Sequence, residues 1–394
     1  MTAQLEGTRE DLIVYLATGW WDGPAGTDRQ LATALGRYGP VFYVDPPISA
    51  LTRFLKPDLS GVAAAPRLRV HSPRLVQLVT RVTPGMTRPV LRHLRAPLVH
   101  RAVRSAVREL YGPAGPVAAV VSSRVDESWP RLAARHRLLY VTDDLVAGAE
   151  LLGLPRDRLI RLENAALARA GTLAVVSPGL RDRYAAAGHS AVLLPNGCSP
   201  EFYADVDDAP PPAGASLPGP VAGFAGHIND RIDISLLEAV ADTGCSLLIV
   251  GPLSHGYRDA RFTALTGRPN VCWVGQQPYE QMPSYLRLID VGLTPYADNP
   301  FNRASFPLKT LEYLAAGRAV VASRLPAHVW LDTDLITLAD GPADFAAAVT
   351  AALAQPRTPE IVRRRRAFAE QHSWDVRARR MAELLGLVSR TTVA

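Results

Sequence analysis

Short apolar runs of strand length alternate with helical segments along almost the whole chain. That alternation restricts the fold more than any other feature. The first two runs are Asp11-Leu12-Ile13-Val14-Tyr15-Leu16-Ala17 and Val41-Phe42-Tyr43-Val44, with a helix from about Thr27 to Tyr38 between them, capped by Thr27 or Asp28. Runs at 117–121, 137–142, 172–176 and 191–194 continue the series. A second series occupies 221–226, 246–252, 271–275, 291–295 and 319–322. Runs that are apolar throughout suit strands covered on both faces, and βα alternation suits parallel sheets. The expectation is an α/β protein of two doubly wound, Rossmann-like domains. Residues 205–214, Asp-Val-Asp-Asp-Ala-Pro-Pro-Pro-Ala-Gly, read as a solvated linker between them. The expected boundaries are 1–205, 206–372 and a terminal helical segment, 373–394.

Composition narrows the class. A chain of 394 residues that is 48% hydrophobic and 20% charged suits a globular enzyme with sizeable cores. Cys198, Cys245 and Cys272 are too few and too scattered for a zinc site or a disulfide framework. The first residues lack the basic-then-apolar pattern of a signal peptide, and no apolar stretch reaches the ~20 residues of a membrane span. A cytoplasmic location is expected.

The net charge of +6 is unevenly placed. No acidic residue lies between Asp58 and Glu109, while Arg67, Arg69, Arg74, Arg81, Arg88, Arg92, Arg95, Arg101, Arg104 and Arg108 do. Three readings stay open: two solvated helices in an arginine-rich chain, a surface that meets anionic lipid or an anionic acceptor, and a nucleic-acid surface. No nucleic-acid-binding motif accompanies the last, and no nucleic-acid partner is expected.

The segment 305–322, Ser-Phe-Pro-Leu-Lys-Thr-Leu-Glu-Tyr-Leu-Ala-Ala-Gly-Arg-Ala-Val-Val-Ala, carries the chemistry. It reads as loop, amphipathic helix, glycine stop and buried strand, with Pro307 suited to a first helical turn. The chain has two lysines, Lys56 and Lys309, against 41 arginines. Lys309 falls at a helix N-terminus, where anions bind. Glu312 lies one turn on, on the same face. Lysine at a phosphate with a carboxylate at sugar hydroxyls makes a nucleotide-sugar site; the plainer reading is a Lys–Glu pair on a solvated helix.

This segment resembles the donor-site motif of retaining GT-B glycosyltransferases, in the branch P-x-K-x-x-E-Y-L-A-x-G-x-P-V-V. Three further segments resemble that family: Ser177-Pro178-Gly179-Leu180, Asn196-Gly197-Cys198-Ser199-Pro200-Glu201-Phe202, and Gly226-His227-Ile228-Asn229-Asp230-Arg231. The resemblance implies a nucleoside diphosphate sugar (UDP, GDP or dTDP) as donor substrate, a hydroxyl acceptor, retention at the anomeric carbon, and no metal. It implies donor contacts from Gly226, His227, Arg231, Val274, Phe306, Leu308, Lys309, Thr310 and Glu312, with Glu312 on the ribose. Arg231 and Lys309 would stabilise the leaving diphosphate. Acceptor residues are expected in the loop after the first strand, Trp21, Gly23, Gly26 and Thr27, with Trp21 either stacking on a sugar or packed in the core. Asp143 and Asp144 are the candidates for meeting the transferred sugar or acceptor hydroxyl, or for capping a helix. Arg231 has the alternative of pairing with Asp230 or Asp233, and His227 that of a capping or core histidine. The chain departs from the best-known form of the motif at Ala304, where that form has its first Glu. The resemblance also implies that the terminal helix crosses back to the N-terminal domain. Two other functions remain compatible: a nucleotide-sugar epimerase or hydrolase, and a non-catalytic nucleotide-sugar-binding partner of a transferase.

Overall fold

A computed structural model describes residues 5–23, 26–49, 60–83, 94–113, 115–125, 129, 131–150, 153–212, 214–215, 217–254 and 256–388. Lys56, Asp58, Arg88, Arg92 and Ala213 from the sequence reading lie outside them. The chain forms two compact units.

The first unit comprises Met1–Val176, Arg181–Leu194 and Trp374–Ala394. Its strands are β1 (Ile13–Leu16), β2 (Val41–Val44), β3 (Ile48–Ser49), β4 (Leu68–Ser72), β5 (Leu75–Leu78), β6 (Arg81–Val82), β7 (Val117–Ser122), β8 (Ala134–Val141), β9 (Thr172–Val175) and β10 (Val192–Leu193). Eight of them make one sheet in the order β10-β9-β8-β7-β1-β2-β5-β4, and β3 pairs with β6 separately. Every neighbour in the large sheet is parallel except β4, which runs antiparallel to β5 at the edge. β1, β2 and β7 are buried along their whole lengths, as continuous apolar runs require.

The arginine-rich stretch is not helical throughout. Among its described residues a short helix, Ser60–Ala64, comes first, β4, β5 and β6 carry or border Arg67, Arg69, Arg74 and Arg81, and a longer helix, Arg95–Tyr111, comes last. Leu68-Arg69-Val70-His71 and Leu75-Val76-Gln77-Leu78 carry β-branched and leucine positions at strand spacing, so edge pairing wins over helix.

The helix Trp374–Leu384 belongs to the first unit and packs on the helix Thr27–Leu35. Trp374, Ala378, Met381, Ala382 and Leu385 are buried, and Arg37 pairs with Asp375. Arg377 of the same helix is also buried, beside Tyr140.

The second unit, Ser177–Leu180 with Pro195–Ser373, holds six parallel strands: β11 (Val221–Ala225), β12 (Ser246–Val250), β13 (Val271–Trp273), β14 (Val291–Thr294), β15 (Ala319–Ser323) and β16 (Ile336–Ala339). Their order is β13-β12-β11-β14-β15-β16, the doubly wound Rossmann order 3-2-1-4-5-6. The chain passes between units at Leu194–Pro195 and not in residues 205–214, which lie within the second unit. That segment is not a free linker. Val206 is buried, and Asp207 pairs at 2.7 Å with Arg318, a guanidinium 0% exposed. A carboxylate that meets a buried arginine is tied down, whatever its prolines suggest.

Candidate functional site

In the second unit, β11 and β14 are neighbours, so the helices that follow them leave in opposite directions. Ligands bind open α/β sheets at such switch points, outside the carboxyl ends of the strands. The loop after β11 carries Gly226, His227 and Arg231; the loop after β14 runs into the helix Leu308–Ala315. Gly251 (φ +141) presses the loop after β12 against the first of these. A side chain there would place its Cβ 1.9 Å from the Gly226 carbonyl oxygen.

Arg231 is held in place by uncharged groups. Its Nε donates to Asn302 Oδ1 at 2.9 Å, and its backbone carbonyl accepts from Asn302 Nδ2 at 2.9 Å. Its guanidinium lies 4.9 Å from the Phe301 ring and 5.5 Å from Tyr296. It does not pair with Asp233, which caps the helix Ile234–Asp242 through the Ser235 amide. Arg231, Tyr296, Asn302, Ser305, Phe306 and His328 line a small open pocket.

Lys309 and Glu312 meet as one turn of helix dictates, with Nζ 2.7 Å from Oε2. The pair is not solvated. Glu312 is 5% exposed, and the same oxygen accepts from the Tyr203 hydroxyl at 3.0 Å. Pro307 precedes the helix as its N-cap and offers no side-chain acceptor to the first-turn amides. The positive end of the helix therefore stays open beside Lys309. His227 is lowered from its ordinary pKa by surrounding protein atoms and by the charges of Lys309 and Arg231. His227 thus feels the charge of both Lys309 and Arg231.

Other sequence candidates turn inward. The Thr310 hydroxyl is fully buried, 3.0 Å from His328 Nε2, so only its backbone faces the helix end. The Phe306 side chain is buried against Trp330, and Leu308 is half-buried. The Val274 amide donates to Ile249 and its carbonyl accepts from Gln277, so both backbone groups are engaged. The Ala304 carbonyl accepts from the Ser177 hydroxyl, and a Cβ on Gly179 would sit 2.8 Å from the Arg303 carbonyl oxygen. The segment Ser177-Pro178-Gly179 thus fixes the loop that leads to the signature helix.

Burial pushes His328 down to about 4. Its folded pKa lies below the ordinary 6.5, so the unfolded chain takes up a proton first as pH falls. The stability this neutral histidine contributes is full above pH ~6.5 and is lost progressively towards pH ~4, on the order of 3 kcal/mol. Urea unfolding at neutral pH and near pH 4.5 should show that loss, and His328→Gln should flatten the difference. An equal pH dependence in the variant would remove His328 as its source.

The first unit places its candidates differently. Trp21 is 7% exposed, stacked 4.2 Å from the His71 ring and edge-on to Tyr43 at 5.1 Å. Its amide donates to Asp45, a carboxyl that burial pushes up to about 6. Trp21 is therefore a core aromatic and not a sugar platform. Trp21→Ala should cost about 3–5 kcal/mol in denaturant unfolding; an acceptor-KM effect with unchanged stability would reverse that reading. Gly23 closes a turn onto Trp20, Gly26 caps the helix Thr27–Leu35, and Thr27 begins it. Asp28 does not cap. It turns inward, and its carboxylate accepts from the Thr18 amide at 2.7 Å and the Tyr15 hydroxyl at 2.9 Å, pinning the loop after β1. Asp144 is spent on structure: one oxygen accepts from the Ala147 amide at 2.9 Å and the other lies 3.3 Å from Arg183. Asp143 is half-buried and accepts from the Thr142 hydroxyl at 3.2 Å.

Asn302, Tyr203 and His328 were missed in sequence. Asn299-Pro300 is a helix-start signal that places Asn302 in the next turn, and Tyr203 follows directly on Asn196–Phe202; nothing in the sequence marked His328.

Residues 219–355 match the family glycosyl transferases group 1. The chain is 34% identical over 175 residues to a Bacillus subtilis protein whose provisional name is teichuronic acid biosynthesis glycosyltransferase TuaH. That match covers 43% of this chain and 44% of the relative, under half its length. Over 95% of the chain, the fold superposes on sucrose-phosphate synthase from Thermosynechococcus elongatus with a TM-score of 0.72 at 18% identity, covering 98% of that structure. Anabaena HepE in complex with UDP and glucose gives a TM-score of 0.64 at 16% identity, covering 95% of this chain and 99% of that one. The chain thus has the GT-B fold of two Rossmann-like units, and residues 219–355 of its second unit are similar to the glycosyl transferases group 1.

Proposed function

We propose that the protein is a glycosyltransferase that moves a sugar from a nucleoside diphosphate sugar to a hydroxyl acceptor, with retention at the anomeric carbon. The observation that carries this is the convergence of Arg231, Lys309 and an uncapped helix N-terminus at the switch point of the second unit, with Glu312 one turn along. Cleavage of the donor builds negative charge on the departing diphosphate, and fixed positive groups aimed there lower the barrier. Asn302 and the two aromatic rings hold Arg231 before the donor arrives, so little reorganisation accompanies the reaction. Glu312 accepts from the ribose hydroxyls after exchanging its contact with Lys309, which then turns to the phosphates.

UDP is the first donor nucleotide to test, because HepE, which shares the fold, is described with UDP and glucose. Asp143, Gly23, Gly26 and Thr27 are the acceptor-side candidates that remain in the first unit. A second reading, a nucleotide-sugar-binding partner without turnover, is favoured by Ala304 in place of the motif's first Glu. Incubation with UDP-, GDP- and dTDP-sugars separates the two. Slow donor hydrolysis or transfer, with an α-linked product from an α-linked donor by NMR coupling constant, supports transfer with retention. A β-linked product would contradict retention, and binding without turnover would favour the partner role.

A further inference from the structure

The helix Arg95–Tyr111 has two faces of different character. One is buried through Val99, Val103, Ala106 and Val107. The opposite arc, about 120° wide at 100° per residue, carries Leu94, Leu98, Arg101, Arg104 and Arg108. Leu94 and Leu98 are 51% and 36% exposed, large for leucines in a folded protein. The side chains of Arg101, Arg104 and Arg108 have no hydrogen-bond or ion-pair partner among the described residues. The neighbouring acid, Glu109, is taken by Arg67. Apolar residues therefore lead the arc, unpaired cations follow, and no carboxylate on it is free.

We propose that this face docks on an anionic lipid bilayer, with the arginines at the headgroups and Leu94 and Leu98 entering the interface. Charge complementarity selects the occupant. Three uncompensated guanidinium groups on one face attract acidic headgroups over about a Debye length. A nucleic acid or a soluble polyanion would use the arginines equally but gives no role to the leucines. An amphipathic helix lying in the interface uses both. Such docking is reversible, since one short face with three charges is a weak anchor, and it holds whichever sugar the protein moves.

Co-sedimentation of the full chain with phosphatidylcholine vesicles, with and without phosphatidylglycerol, tests this. Binding is expected only to the phosphatidylglycerol vesicles and should fall as salt rises. Replacing Arg101, Arg104 and Arg108 together by Gln should lower partitioning by about 100-fold. Replacing Leu94 and Leu98 by Ser should lower vesicle binding but leave retention on a heparin column unchanged. Unaltered thermal unfolding of both variants would show that the fold is intact. Absence of binding to phosphatidylglycerol vesicles, equal binding to neutral ones, or wild-type vesicle binding in either variant would overturn the proposal. So would an oligonucleotide bound more tightly than the vesicles.

Discussion

Glu312→Ala is expected to weaken nucleotide binding by about 1.5–3 kcal/mol, roughly 10- to 150-fold in Kd, because charged hydrogen bonds to the ribose hydroxyls are lost. The carboxylate is 5% exposed and already shared by Lys309 and Tyr203, so alanine also leaves a buried tyrosine hydroxyl without its acceptor. Some stability should be lost with it. Glu312→Gln separates the two effects. The amide oxygen keeps an acceptor for Tyr203 and the fold, while the charge that makes the ribose contact strong is gone. Calorimetric titration with UDP should therefore show weakened binding in both variants, with denaturant unfolding altered mainly in the alanine variant. Unchanged affinity in both would remove Glu312 from the site and reduce it to a helix-packing residue.

The second large effect belongs to Arg231 and Lys309. Removing one preorganised donor from a developing anion typically costs about 100- to 1,000-fold in rate. Arg231→Ala and Lys309→Ala should each lower kcat to that extent, and the double variant should lose less than the product of the two. Both act on one leaving group, and groups that act as a unit are not additive. Arg231 should show the cleaner effect, since its removal breaks no ion pair among the described residues. Lys309→Ala leaves Glu312 with Tyr203 alone. Turnover at the wild-type rate in either single variant would defeat the assignment, as would full additivity in the double.

Most of the architecture was legible because its strands are continuous apolar runs. Val117–Ser122 and Val221–Ala225 are buried at every position, and no other element suits such runs at that length. The signature helix was legible from Pro307, the leucine spacing and Gly317, whose φ of +73 ends it. What was not legible depended on partners distant in sequence. Residues 205–214 look solvated until Arg318 is seen to lie buried against Asp207, 111 positions away. Asp28 looks like a cap until Tyr15 and Thr18 are found on its carboxylate. Trp21 could be a platform or a core aromatic, and only the His71 and Tyr43 rings decide it. Arg231 was legible as a cation, but its clamp by Asn302 was not, since the 71 positions between them carry no signal of the contact.

The central claim is that a nucleoside diphosphate sits at the open N-terminus of the helix Leu308–Ala315. A crystal structure of the protein with UDP tests it most directly. The account predicts the diphosphate against the backbone amides of Leu308 and Lys309, within hydrogen-bonding reach of the Arg231 guanidinium and the Lys309 ammonium, with the ribose hydroxyls on Glu312. A nucleotide bound elsewhere, or the Lys309–Glu312 pair intact with UDP against other residues, would contradict it.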